Sequence, residues 1–116
     1  MGTTSARQIP TGALLTAAVA LADSGNLVAA VTAKKILVWD IILTNSDSTK
    51  TVIIKSATTA MTGAMTFSSL IASRLQGAVQ GYSSGVPLFE TAAGEALVAT
   101  LSAASAISGQ IIYSLE

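Results

Sequence analysis

The chain has 116 residues, a formal net charge of zero, and neither cysteine nor histidine. Its length serves one domain around one core, since single cores typically span about 50–200 residues. Without cysteine there can be no disulfide framework or thiolate chemistry, and without histidine the commonest general base and metal ligand is missing.

Ala, Gly, Ser and Thr fill 58 positions, so side chains are short and backbones can approach closely. Trp39, Phe67, Tyr82, Phe89 and Tyr113 are the whole aromatic supply, enough for one sandwich-type core but not for a large cavity. The six cations are scattered, with Lys34-Lys35 the one adjacent pair, whereas nucleic-acid affinity rests on clustered Lys and Arg. Nucleic acid is therefore not an expected partner. Only 10% of residues are charged, which leaves weak colloidal repulsion and suits a surface covered by neighbours in an assembly.

The first 26 residues read as an extended N-terminal arm. Arg7 ahead of the apolar run 13–22, closing in Ala20-Leu21-Ala22, imitates a secretory signal, but we expect the segment to be retained. That run is also far shorter than the ~20 residues a membrane span needs. Ordering such an arm costs more than burial of Ile9, Leu14, Leu15, Val19 and Leu21 returns. Backbone pairing with a sheet edge, in this molecule or the next, is the expected source of the difference.

From residue 27 the pattern is β. A short run at 27–32 ends in the turn Ala33-Lys34-Lys35, and residues 36–44 form a long run rich in β-branched and aromatic residues. Strict alternation places Ile36, Val38 and Ile42 on one face, interrupted by Asp40, and Leu37, Trp39, Ile41 and Leu43 on the other. Both faces being apolar, this is a central strand covered by a core on one side and by another layer or subunit on the other. Trp39 is most simply a core residue, with an interface anchor as the sharper alternative.

The polar stretch 45–50 connects this run to a strand at 51–56, and the two are expected to form a hairpin. Further runs at 65–67, 96–101 and 110–115 are punctuated by Gly63, Gly85-Val86-Pro87, Gly94 and Ser108-Gly109, a spacing close to that of sandwiches and barrels. Leu70, Ile71, Arg74, Leu75, Ala78 and Val79 fall at helical spacing, although Gly77 and Gly81 count against a helix.

Three stretches raise chemical possibilities, and each has a plainer reading. Gly81-Tyr82-Ser83-Ser84-Gly85 matches the G-x-S-x-G nucleophile elbow, yet the chain holds no histidine to act as base, so the stretch reads as a Ser/Gly loop. Glu90 and Glu95 could be posed as a general acid and base for glycoside cleavage, but so few aromatics are available to stack on a sugar that capping and turn roles are preferred. Asp47, amid Asn45, Ser46, Ser48 and Thr49, offers one carboxylate where a calcium loop needs several, and reads as a solvated turn. No catalytic residue, cofactor, metal or small-molecule substrate is expected.

Read together, Val28-Ala29-Ala30-Val31-Thr32-Ala33-Lys34-Lys35-Ile36, Thr58-Thr59-Ala60-Met61-Thr62-Gly63-Ala64-Met65 and Leu88-Phe89-Glu90-Thr91-Ala92-Ala93-Gly94-Glu95-Ala96-Leu97 resemble small bacteriophage virion proteins. The resemblance runs from about residue 28 to 113, and the Phe89 to Leu97 stretch is its most specific part. It implies a capsid decoration (cement) protein, or a head-fibre or tail component, commonly trimeric and without a catalytic site. It also implies that residues 90–97 form a structural corner leading into a core strand. Residues 71–82 are longer and less regular than the family's middle, and the arm lies outside the resemblance.

The resulting expectation is an all-β chain: an arm at 1–26, then a single β-sandwich at 27–116 with a jelly roll as its candidate winding. Its expected role is phage capsid decoration, as a homotrimer on the outer capsid surface with the major capsid protein as partner and no membrane involved. A head-fibre or tail-associated structural protein is the alternative, followed by a carbohydrate-binding module. The candidate partner-interface residues are Arg7, Ile9, Leu14, Leu15 and Val19 of the arm, with Tyr82 and Phe89 flanking the glycine-rich loop.

Overall fold

Short runs of aliphatic and β-branched residues, each broken after a few positions by small or polar ones, favour strands over helices. A computed structural model of the chain describes residues 13–73 and 87–116. In chain order the strands are β1 (Leu15–Leu21), β2 (Gly25–Val28), β3 (Ile36–Asn45), β4 (Val52–Ser56), β5 (Thr59–Ala60), β6 (Ser69–Ser73), β7 (Phe89–Glu90), β8 (Leu97–Leu101) and β9 (Ile107–Leu115). There is no helix among the described residues.

The strands form two antiparallel sheets. One has the order β1-β9-β3-β6, with β7 also paired to β3, and the other has the order β2-β8-β4-β5. The pairs nest: β1 with β9, β2 with β8, β3 with β6 and β7, β4 with β5. A long antiparallel ribbon folded so that its successive pairs alternate between two facing sheets is the winding of a jelly roll. The fold is therefore an all-β sandwich with jelly-roll strand order.

Val19, Ile36, Val38, Ile41, Leu43, Ile107 and Ile111 of the first sheet pack in one core with Leu27, Val28, Val52, Ile54, Leu97, Ala99 and Leu101 of the second. Each large aliphatic side chain so buried is worth about 1.5–3 kcal/mol. The ion pairs Lys35–Glu90 and Lys50–Asp47 lie at the surface, where water screens them, and contribute little. The sandwich is held by its core, not by its charges.

Two expectations are corrected at the level of strands. The hairpin expected between residues 36–44 and 51–56 does not form, because β3 and β4 belong to different sheets and residues 46–51 turn the corner between them. The tight hairpin is β4–β5, where Lys55 faces Ala60 and Ser56 faces Thr59. Its two-residue loop holds Ala57 in the left-handed region at φ 51°. The run at 65–67 supplies only an isolated bridge from Met65 to Val52.

The face assignment of β3 is also corrected. Between Val38 and Asp40 the ladder to β9 shifts by one residue, so Trp39 is the extra residue of a bulge. The alternation restarts out of phase: Ile36 and Val38 point into the core before the bulge, and Ile41 and Leu43 after it. Ile42 is thereby sent outward and is 46% exposed. Leu37 and Trp39 are buried outside that core, and the Trp39 indole Nε1–H donates to Ser114 Oγ at 3.0 Å. Trp39 is thus enclosed by its own chain and is not an exposed anchor.

The arm behaves as part of the sandwich over its described length. Residues 15–21 pair along β9 from Leu15↔Tyr113 to Leu21↔Ile107, in this molecule. The boundary expected after residue 26 falls inside β2. Of the positions at helical spacing, Leu70 and Ile71 belong to β6, and Arg74, Leu75, Ala78 and Val79 lie outside the described residues.

Candidate functional site

Two loop clusters close the ends of the sandwich, and both are occupied by structural hydrogen bonding. At one end the buried Asn45 organises the corner after β3. Its Oδ1 accepts from the Asp47 backbone N–H at 3.2 Å and from the buried Ser105 hydroxyl, and its Nδ2 donates to the Lys50 carbonyl at 3.5 Å. Neighbouring contacts are of the same kind: the Ala106 N–H donates to Ser46 Oγ, the Thr51 N–H to Ser102 Oγ and the Leu101 N–H to Ser24 Oγ. Short polar side chains here satisfy backbone groups that the corners would leave unpaired.

Asp47 is engaged by its own loop. The Thr49 hydroxyl donates to its Oδ1 at 2.5 Å and the Thr49 N–H at 3.0 Å. Those two bonds, with the Lys50 charge nearby, hold its pKa below the ordinary carboxylate value. A lowered folded-state pKa means the stabilisation is present above the ordinary carboxylate range and is lost as pH falls through the lowered value. In thermal melts between about pH 6 and 2, Asp47→Asn is expected to lower the melting point slightly near neutrality and to remove part of the decline at the acid end.

At the other end, residues 90–97 form a corner from β7 in one sheet to β8 in the other. The buried Thr91 hydroxyl accepts from the Ile36 N–H at 2.9 Å, while the Thr91 N–H donates to the Ile36 carbonyl. The Ser56 hydroxyl donates to Glu95 Oε1 at 2.5 Å and accepts from the Ala92 N–H at 3.0 Å. Lys35 Nζ donates to Glu90 Oε2 at 3.1 Å. Glu90 and Glu95 each hold a strand connection, and neither faces a cleft shared with the other in these bonds. Among the described residues no group of three or more acidic side chains is placed to hold a metal ion.

The outer face of the five-stranded sheet is different. The register aligns Thr16, Ile112, Asp40 and Ser73 in one row; Ala18, Gln110, Ile42 and Ile71 in the next; and Ala20, Ser108, Thr44 and Ser69 in the third. Alternation with the core residues turns these rows outward. Ile71 is 73% exposed beside Ile42 on the adjacent strand. Asp40 is the one charged residue in the three rows, and the Ser73 hydroxyl donates to it at 2.6 Å. This is a broad, nearly uncharged face, mostly Ala, Ser and Thr, with Gln110 exposed, Ile112 half-buried, and Ile42 and Ile71 projecting into water.

The expected interface residues divide. Leu14 and Leu15 are exposed at the start of β1, at 50% and 37%. Val19 is turned into the core, and Phe89 is half-buried against it, so both are accounted for by the chain's own packing. Arg7, Ile9 and Tyr82, together with the Gly81 to Gly85 motif, lie outside the described residues. Sequence reasoning missed Ile42 and Ile71. Alternation in Ser69-Leu70-Ile71-Ala72-Ser73 carries the second, because Leu70 and Ala72 pack on the core while Ile71 faces away.

These features define a jelly-roll sandwich whose corners are held by short polar side chains and whose open face carries one charge, small Ala, Ser and Thr side chains and two adjacent exposed isoleucines. Comparisons with protein families, with curated proteins and with solved structures give no match to this chain.

Proposed function

We infer that this chain is a structural protein that works by covering surface on other protein chains, without catalysis, and that it does so as a decoration protein on the outer surface of a phage capsid. The observation that carries the reading is the outer face of the five-stranded sheet, where Ile71 and Ile42 stand exposed side by side among Ala, Ser, Thr and Gln110, with Asp40 the one charge nearby. Two adjacent aliphatic side chains left in water on a face with a single charge form a small apolar spot that contact with another chain would bury. Two further features support it: the jelly-roll winding occurs in viral capsid domains, and the chain resembles small phage virion proteins over residues 28–113.

The mechanism is area. Apolar surface buried between the chain and the major capsid protein favours the assembled shell by mass action, about 2.7 kcal/mol per site when free chain stands at 100 times its Kd. Ile71→Asp is expected to leave the melting temperature within a few degrees of wild type, because Ile71 is mostly in water already. It is also expected to weaken shell binding by on the order of tenfold or more, since it takes a charge into a buried contact. Co-sedimentation with empty capsids measures this. Quantitative gel staining of purified particles separates decoration, with hundreds of copies, from a fibre or tail role, with a few.

A further inference from the structure

We propose that β1 is a docking edge for a second copy of this chain, pairing antiparallel with the partner's β1 about a two-fold axis at Ala18. An edge strand presents a row of backbone N–H and C=O groups to any extended chain, and proteins blunt such edges with Lys, Pro, bulges or very short strands. β1 carries none of these devices. It has seven residues, Leu15-Thr16-Ala17-Ala18-Val19-Ala20-Leu21, and follows β9 without a register shift. It pairs on one side only among the described residues. It is the longest edge strand among the described residues: β6 has five residues there, β2 has four with a register shift, and β5 has two.

The occupant follows from the order of residues along that edge. In an antiparallel pair centred on Ala18, Leu15 meets Leu21, Thr16 meets Ala20, Ala17 meets Val19, and Ala18 meets itself. Residues that face the core oppose residues that face the core, so the sandwich continues across the axis with no change of face. No charge is opposed anywhere, because the strand has none. Leu15, 37% exposed in the single chain, gains Leu21 of the partner subunit as cover. A contact between identical patches closes at two copies, so it stands in place of the three-fold arrangement that the family resemblance implies. The pairing does not depend on capsid binding: a chain that pairs but binds no shell keeps this inference and loses the previous one.

The chain's lack of cysteine makes the test clean. Opposed Cα atoms in an antiparallel pair are about 4.5–5.5 Å apart, inside the range a disulfide spans. Ala18→Cys in the full chain is expected to form a covalent dimer under mild oxidation on the order of a hundredfold faster than Ala60→Cys, an exposed cysteine on the β5 edge. Ala18→Lys and Ala18→Glu should each sediment as monomers, and their mixture should restore the dimer, because like charges then oppose in the pure samples and unlike charges in the mixture. Equal cross-linking of the two cysteine variants, or a wild-type chain that sediments as a monomer or trimer at every concentration, would overturn the proposal.

Discussion

Gly109→Ala is expected to unfold the chain or to cost roughly 3–5 kcal/mol, the largest loss of any single-methyl addition in the sandwich. Gly109 lies in β9 between Val19 of β1 and Leu43 of β3, with φ at 155°. A Cβ built there comes within 1.8 Å of the Ile42 carbonyl oxygen and 2.8 Å of its carbon. Those are backbone atoms of the central strand, so relief requires β9 and β3 to separate where both sheet order and core depend on them. Gly63→Ala is the control, because its added methyl meets nothing within 4 Å, and it should change stability by less than about 0.5 kcal/mol. Thermal melts of the two variants decide the matter; similar melting points would contradict the close approach of β9 to β3.

Asn45→Ala is expected to cost about 2–4 kcal/mol, lowering the melting temperature by roughly 10 °C or more. The alanine removes an acceptor shared by the Asp47 N–H and the Ser105 hydroxyl, and a donor to the Lys50 carbonyl. Ser105 is 8% exposed, so its hydroxyl is left buried without that partner. Ser105→Ala should cost less, about 1 kcal/mol, because Asn45 Oδ1 keeps the Asp47 N–H. Equal losses in the two variants would show that Asn45 does not organise the corner. The corner matters to the fold because residues 46–51 carry the chain from one sheet to the other.

The all-β class was legible in the sequence because local pattern decides it, whereas the winding rests on pairings between strands distant in sequence. The long run from Ile36 is a central strand because apolar residues occupy both of its faces, and it is the strand that β9, β6 and β7 all join. Its faces could not be read correctly, because the bulge at Trp39 is set by the register with β9, some 75 residues away in sequence. The polar stretch 45–50 has the composition of a turn, and composition does not distinguish a hairpin turn from a corner between sheets. The true hairpin was hidden for the opposite reason: Ala57-Thr58 lacks the Asn-Gly or Asp-Gly chemistry that marks two-residue loops.

The candidate site was less legible than the fold. Of the arm expected over residues 1–26, the stretch Leu15–Leu21 takes its sheet edge from β9 of the same molecule, and residues 1–12 lie outside the described residues. The exposed isoleucines were overlooked because Ile42 changes face at the bulge and Ile71 sits in a stretch that also fits helical spacing. Both depend on pairing between strands distant in sequence.

Adhesion through surface, without chemistry, is tested most directly by heating empty phage capsids with and without added chain and following their rupture by light scattering. The account predicts saturable binding at hundreds of copies per particle and a higher rupture temperature, with both effects lost in Ile71→Asp. Capsids that bind no chain, or that rupture at the same temperature when saturated with it, would contradict the account.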